Sequence, residues 1–265
     1  MEISFEGGRI AYDDTANDGP LVLCLPGMGV TRQTYEPFVP LMVQAGYRVV
    51  TMDLRGAGET DAHWTDYSPQ AIGRDAIALV KHLNAGPAIL VTNSYTAATA
   101  IWAAAEAPEL FGAIVLGGPF ARVMPKPNLV MRAAQWAATT YRPLWMMFWA
   151  SLYKTRKPNP AERQALKASL AEPGRMAAIK AMGDADKSVC EARMPEVRTP
   201  ALVVMGTKDP DFPDPAAEAR LVAGRINGSV VMIDGAGHYP HSEFPEETAA
   251  AVLAFLKSLK SHQNA

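Results

Sequence analysis

Cysteine is nearly missing from this chain. Of 265 residues only Cys24 and Cys190 carry a thiol. Cys24 sits inside the apolar run LVLCLP and Cys190 in the irregular-looking DKSVCEAR, which excludes a disulfide frame and a thiolate metal site. A surplus of charge is missing too: 25 Lys and Arg face 27 Asp and Glu. Scattered along the chain, they make no field that would gather nucleic acid or an anionic membrane. No run reaches the ~18 apolar residues of a membrane span. The N-terminal MEISFEGGRI has an acid at Glu2 and no long apolar segment, unlike a signal or transit peptide. GRDAIALV lacks the glycine spacing that cradles phosphate, and no strand-GxGxxG-helix unit occurs, so nucleotides are excluded as ligands. These absences predict a cytoplasmic protein that needs no metal or cofactor and takes a small, largely apolar molecule as its partner.

What is present is alternation. A chain of this length, 49% hydrophobic, can bury one full core. MEISFEGGRIAYDD alternates around Gly7 and Gly8 and predicts an antiparallel hairpin turning at that pair. LVLCLPG, YRVVTMDLR, AILVTNS, GAIVLGG, ALVVMGT and SVVMID follow, six short apolar runs of the kind expected for parallel strands covered on both faces. Helical patterns separate them: 35–46, SPQAIGRDAIALVKHLN, YTAATAIWAAAEA, DPAAEARLVAGRI and PEETAAAVLAFLKSLK. Ser68 before Pro69, and Asp214 before Pro215, read as N-caps followed by a first-turn proline. The expected fold is a doubly wound, mostly parallel α/β sheet opened by an antiparallel hairpin.

One region breaks the rhythm. Between 121 and 195 no buried strand is expected, and the segment holds Trp136, Trp145, Trp149 and seven methionines from Met124 to Met194. It reads as a helical cap inserted between core segments 1–120 and 196–265. Its densest piece, LWMMFWASLY, is too short for a bilayer, so its aromatics pack on protein or ligand. Trp136, Trp145, Trp149 and Met146 are the expected substrate-lining residues, alongside the plainer reading that they form the insertion's own core.

The chemistry is expected where strands end, because ligands of parallel sheets collect at the carboxyl ends. In ILVTNSYTAATAIWAAA an apolar run stops at Thr92, Asn93, Ser94, Tyr95 and Thr96 and restarts as an alanine-rich helix. A sharp turn there would lift Ser94 above the sheet, and the helix start offers unpaired N–H groups. Serine alone is a weak nucleophile and needs a base and an orienting acid. ALVVMGTKDPDFPDP puts Asp209 at the end of the next-to-last strand, and VVMIDGAGHYPHSEFPEE puts His238 on a glycine-bracketed loop after the last. His241 lacks that glycine context, Asp211 lies further from its strand, and Asp214 is already a helix cap. His63 and Trp64 read as surface loop and His82 as an exposed helix position.

With these pieces in place, the sequence resembles the α/β-hydrolase family with a helical cap, over nearly the whole chain. The order Ser94, Asp209, His238, the loop LPGMG, the turn DLRGAGETD and the loops MGTKDPDFP and GAGHYPHSEFPEE carry the resemblance. It implies a Ser-His-Asp triad of Ser94, His238 and Asp209, with the backbone N–H groups of Met28 and Tyr95 as oxyanion hole. It implies a serine esterase acting on a small apolar ester, lactone or thioester. A lyase or cofactor-free oxygenase that uses the histidine without acylating the serine, and a ligand-binding protein, use the same frame. The family usually carries GxSxG at the elbow; here Thr92 and Thr96 replace the glycines, and two β-branched residues are expected to crowd the turn.

Overall fold

The computed structural model describes residues 1–125 and 128–263. One sheet contains β1 (Glu2–Phe5), β2 (Gly8–Asp14), β3 (Leu21–Leu25), β4 (Arg48–Met52), β5 (Ala88–Asn93), β6 (Phe111–Gly117), β7 (Ala201–Gly206) and β8 (Ser229–Ile233). Their order across the sheet is β1-β2-β4-β3-β5-β6-β7-β8. β2 pairs antiparallel with β1 and with β4, and the remaining pairs are parallel. The helices are α1 (Val39–Gln44), α2 (Pro69–Leu83), α3 (Thr96–Glu106), α4 (Leu129–Thr140), α5 (Arg142–Ser151), α6 (Pro160–Ser169), α7 (Arg175–Asp184), α8 (Ser188–Ala192), α9 (Pro215–Arg225), α10 (Pro240–Glu243) and α11 (Pro245–Gln263). Among the described residues no helix is long and apolar enough to cross a membrane.

Continuous apolar runs make buried strands here because helices cover both faces. Every residue of β3, β5 and β7 is buried, with one apolar cluster on each side of the sheet. The caps follow local chemistry: the Ser68 hydroxyl accepts from Ala71 N–H and the Asp214 carboxylate from Ala217 N–H.

Four expectations change. β8 stands at the sheet's edge and most of it is only partly buried; an apolar run does not reveal whether a strand has a neighbour on each side. The hairpin turns at Glu6 and Gly7, both at positive φ (46° and 82°), and Gly8 is already a strand residue opposite Phe5. The helix predicted over 35–46 is split into a 3-10 turn at Arg32–Tyr35 and α1, since Pro40 is tolerated only in a first turn. DKSVCEAR is ordered: it forms α8, with Cys190 buried.

The strand order places the site. β3 is followed by β4 on one side and β5 lies on the other, and such a reversal opens a crevice beyond the carboxyl ends of the two strands. Leu25 of β3 stands opposite Thr92 of β5, so the loop after β3 and the turn after β5 share that crevice. Helices α4 to α8 fill the interval between β6 and β7. Trp145 and Trp149, one turn apart on α5 and therefore on one face, build a cluster with Val30, Leu152, Tyr153 and Tyr239.

Candidate active site

The turn after β5 is strained and held from several sides. Ser94 has φ +59°, a left-handed conformation that costs a non-glycine residue about 1–2 kcal/mol. Its N–H donates to the Gly117 carbonyl at 2.8 Å, and its own carbonyl accepts from Ala97 N–H and Phe120 N–H, each at 3.1 Å. Asn93, fully buried, donates through Nδ2 to the Gly117 carbonyl at 3.2 Å and to the His238 carbonyl at 3.0 Å. Gly27 comes close on the facing loop, where a Cβ would lie 3.1 Å from Asn93 Oδ1 and 3.2 Å from Ser94 Cβ. A side chain at Gly27 would push the loop away from the elbow.

The threonines act through their hydroxyls. Thr92 Oγ1 donates to the Val115 carbonyl at 3.1 Å. Thr96 Oγ1 accepts from Asn93 N–H at 3.1 Å and stands 3.1, 3.1 and 2.9 Å from the carbonyls of Leu25, Pro26 and Asn93, to one of which it donates. The hydroxyl thus joins the elbow to the loop after β3 at a position where glycine would contribute nothing. Thr96→Val, which keeps the shape and loses the hydroxyl, is expected to cost about 1–3 kcal/mol because buried backbone groups lose a partner. Thr96→Ser should recover most of it in thermal unfolding. A Thr96→Val protein as stable as the parent would contradict this.

Asp209 follows β7 and His238 follows β8, and both side chains are buried. Their contact is direct, His238 Nδ1 to Asp209 Oδ2 at 2.8 Å. The other Asp209 oxygen accepts from Asp211 N–H at 3.0 Å. Burial disfavours the imidazolium, but the charge and hydrogen bond of Asp209, with Asp211 adding, outweigh it and push the His238 pKa up to about 9. His238 Nε2 is buried and has no hydrogen-bond partner among the described residues. Asp211 Oδ2 lies 3.7 Å from it, nearer than sequence position suggested, and burial raises the pKa of that carboxyl. Asp209, Asp211 and His238 each offer a ligand atom within 4.8 Å of the others, but the Nδ1 hydrogen bond already uses one Asp209 oxygen, an arrangement suited to a proton more than to a cation.

No direct Ser94–His238 hydrogen bond forms among the described residues; the two are linked through Asn93. His241 has a different environment. It stacks on Tyr35 at 4.3 Å, its Nε2 lies 3.2 Å from Thr34 Oγ1, and burial pushes its pKa down to about 3. It is a neutral core histidine. The N–H groups of Met28 and Tyr95 have no acceptor among the described residues, and Tyr95 is the N-cap residue of α3.

The four expected lining residues separate. Trp145 Nε1 donates to the Gly29 carbonyl at 3.0 Å, so this ring rests on the loop after β3. Trp149 is fully buried, and Met146 packs on its cluster. Trp136 is a surface residue, 54% exposed on a helix with no buried residue and with its ring edge against Tyr141. His63 and His82 are exposed, while Trp64 is half-buried under Arg55.

Sequence reasoning did not single out Asn93, Phe120, Lys187 or Glu243. Phe120, whose ring meets His238 edge-on at 5.8 Å, was within reach, since it follows the carboxyl end of β6. Glu243 has no local signal. Fully buried, it accepts from the N–H groups of Lys154, Thr155 and Arg156 at 2.9, 2.8 and 3.2 Å through Oε1, and from Gly237 N–H at 2.5 Å through Oε2. One carboxylate thereby ties the segment after α5 to the loop carrying His238, whose own N–H donates to the Leu152 carbonyl. Glu243→Ala leaves these donors without a partner and is expected to cost about 3 kcal/mol or more, read as a lowered denaturant midpoint. A change below about 1 kcal/mol would show that water replaces the carboxylate.

Comparison with known proteins identifies the family and the fold. The pattern that defines the alpha/beta hydrolase family is matched over residues 22–251. The 2-hydroxy-6-oxononadienedioate/2-hydroxy-6-oxononatrienedioate hydrolase of Burkholderia vietnamiensis is 27% identical over 271 residues, covering 94% of this chain and 91% of that protein. The serine hydrolase BPHL of Homo sapiens is 25% identical over 267 residues, covering 97% of this chain and 86% of that protein. A crystal structure of a bromoperoxidase from Bacillus anthracis superposes with a TM-score of 0.83 at 20% identity, over 94% of this chain and 96% of that one; this likeness bears on the fold alone. With the family pattern spanning most of the chain and the sheet order and crevice to match, this protein belongs to the alpha/beta hydrolase family.

Proposed function

We propose that the protein is a serine hydrolase that cleaves a small ester, lactone or thioester with a largely apolar body through an acyl-enzyme intermediate. The observation that carries this reading is the buried His238–Asp209 pair on the rim that also holds the Ser94 turn. Ser94 Oγ attacks the substrate carbonyl while His238 Nε2 takes its proton, and Asp209 keeps the imidazole in the required tautomer and stabilises the imidazolium. The tetrahedral oxyanion is received by the N–H groups of Tyr95 and Met28. His238 returns the proton to the leaving group, and a water, deprotonated by the same imidazole, releases the acid. Residues 121–195 act as the cap, with Trp145 closing over the loop after β3. The protein works without metal or organic cofactor and in the cytoplasm.

A second reading has its own observation. Among the described residues His238 Nε2 has no partner, and no Ser94–His238 hydrogen bond is formed. An imidazole so arranged can take a proton from substrate directly, as a non-acylating lyase or oxygenase would require. Covalent labelling with a fluorophosphonate, followed by mapping of the modified peptide, separates the two. Modification at Ser94 is expected. Turnover of a carbonyl substrate by a protein that resists the label would favour the second reading.

A further inference from the structure

Lys187, immediately before α8, sets its ammonium over two rings beside the Ser94 turn. Its Nζ lies 5.2 Å from the centroid of the Tyr95 ring and 5.6 Å from that of Phe120. Tyr95 is the residue after Ser94; its ring is buried and its hydroxyl donates to the Tyr67 carbonyl. Phe120 donates its N–H to the Ser94 carbonyl and sets its ring edge-on to His238. Two rings that flank Ser94 and His238 therefore share one cation.

Neighbouring cations in this region are matched. Arg175 pairs with Glu172, Lys180 with Asp184, and Arg193 with Glu106 and Glu196. The acid beside Lys187, Asp186, is turned to the N–H and hydroxyl of Ser188. Lys187 is half-buried, and among the described residues its Nζ has neither an ion-pair nor a hydrogen-bond partner; it lies over the two rings. Ring faces attract an ammonium by about 0.5–2 kcal/mol, but they accept none of its three N–H bonds well. Burial accordingly pushes the Lys187 pKa below its ordinary value. A partly desolvated ammonium of this kind is completed by an anion.

We propose that Lys187 is a specificity residue that receives a carboxylate on the acyl part of the substrate, so that the preferred substrate is the ester or thioester of an acid bearing a second carboxylate on an otherwise apolar body. The hydrolytic step of this proposal rests on the serine hydrolase reading; the binding step does not. Two measurements keep them apart. In calorimetric titration the parent should bind glutarate, Lys187→Met should bind it at least about tenfold more weakly, and Lys187→Arg should fall between them. In steady-state kinetics the parent should prefer mono-4-nitrophenyl glutarate to 4-nitrophenyl pentanoate. That ratio of kcat/KM should fall at least about tenfold in Lys187→Met, chiefly through KM. Circular dichroism of each variant shows that the fold is kept, and Lys187→Gln serves if Lys187→Met does not fold. Turnover of both esters with an unchanged ratio, or glutarate binding that is missing in the parent or equal in parent and variant, overturns carboxylate recognition and leaves the hydrolase standing. Glutarate binding that depends on Lys187 in a protein that cleaves neither ester overturns the hydrolase and leaves the recognition.

Discussion

Ser94→Ala is expected to lower kcat for a short 4-nitrophenyl ester by about 10⁴- to 10⁶-fold, the scale on which loss of an activated nucleophile acts. The protein should remain folded. Alanine tolerates φ +59° about as poorly as serine does, so its strain is nearly unchanged, and the bonds that hold the turn run through the backbone of residue 94. Ser94→Gly is the useful companion: it should lose turnover equally while gaining up to about 1 kcal/mol, because glycine adopts this φ without steric cost. Fluorophosphonate labelling should vanish in both. Activity of Ser94→Ala within tenfold of the parent would remove the acyl-enzyme mechanism.

His238→Ala is expected to be about as severe, on the order of 10⁴-fold or more in kcat, with His241→Ala acting through stability alone. The pH dependence carries more information. A base must be neutral to accept a proton, so kcat/KM should rise with pH through the His238 pKa. An unperturbed histidine would set that limb near 6.5; the Asp209 contact moves it toward about 9. In Asp209→Asn the charge of residue 209 is gone and burial is opposed only by Asp211, so the limb should move down from about 9 while the rate falls. Stability follows the same linkage with a definite sign. The folded pKa of His238 is raised above its unfolded value, so its contribution is fully present below about pH 6.5 and is lost as pH rises through about 9. Chemical denaturation across that window should show this decline in the parent and not in His238→Ala. A flat parent profile, or a rate limb that stays at 6.5 with Asp209 intact, would mean that the pair is not charged as described.

Parts of this molecule were legible along the chain because they are governed by local chemistry. Parallel strands covered on both faces have to be continuous apolar runs, and caps such as Ser68 and Asp214 act within three residues of themselves. From those runs follow the strand ends, and so the places of Ser94, Asp209 and His238. Even the weak points were local in kind: the apolar run of β8 could not say that it lies at an edge, and the aromatic richness of 121–195 could not say which way each ring faces. Trp145 and Trp136 look alike in sequence; one reaches Gly29 and the other faces solvent.

Tertiary structure alone decided the rest. Thr92 and Thr96 suggested crowding because β-branching is a property of the residue, whereas the hydroxyl partners that make them useful lie on other strands and on the loop after β3. Glu243 meets the N–H of Lys154 across 89 positions of sequence, and Lys187 meets Tyr95 and Phe120 across a comparable span. The sequence by itself determined the fold class and the strand ends, because backbone pairing and apolar burial repeat with a period that neighbours share. The distances between side chains, the raised pKa of His238 and the place of the Lys187 ammonium over two rings came only from the folded chain, because each depends on groups that no local period brings together.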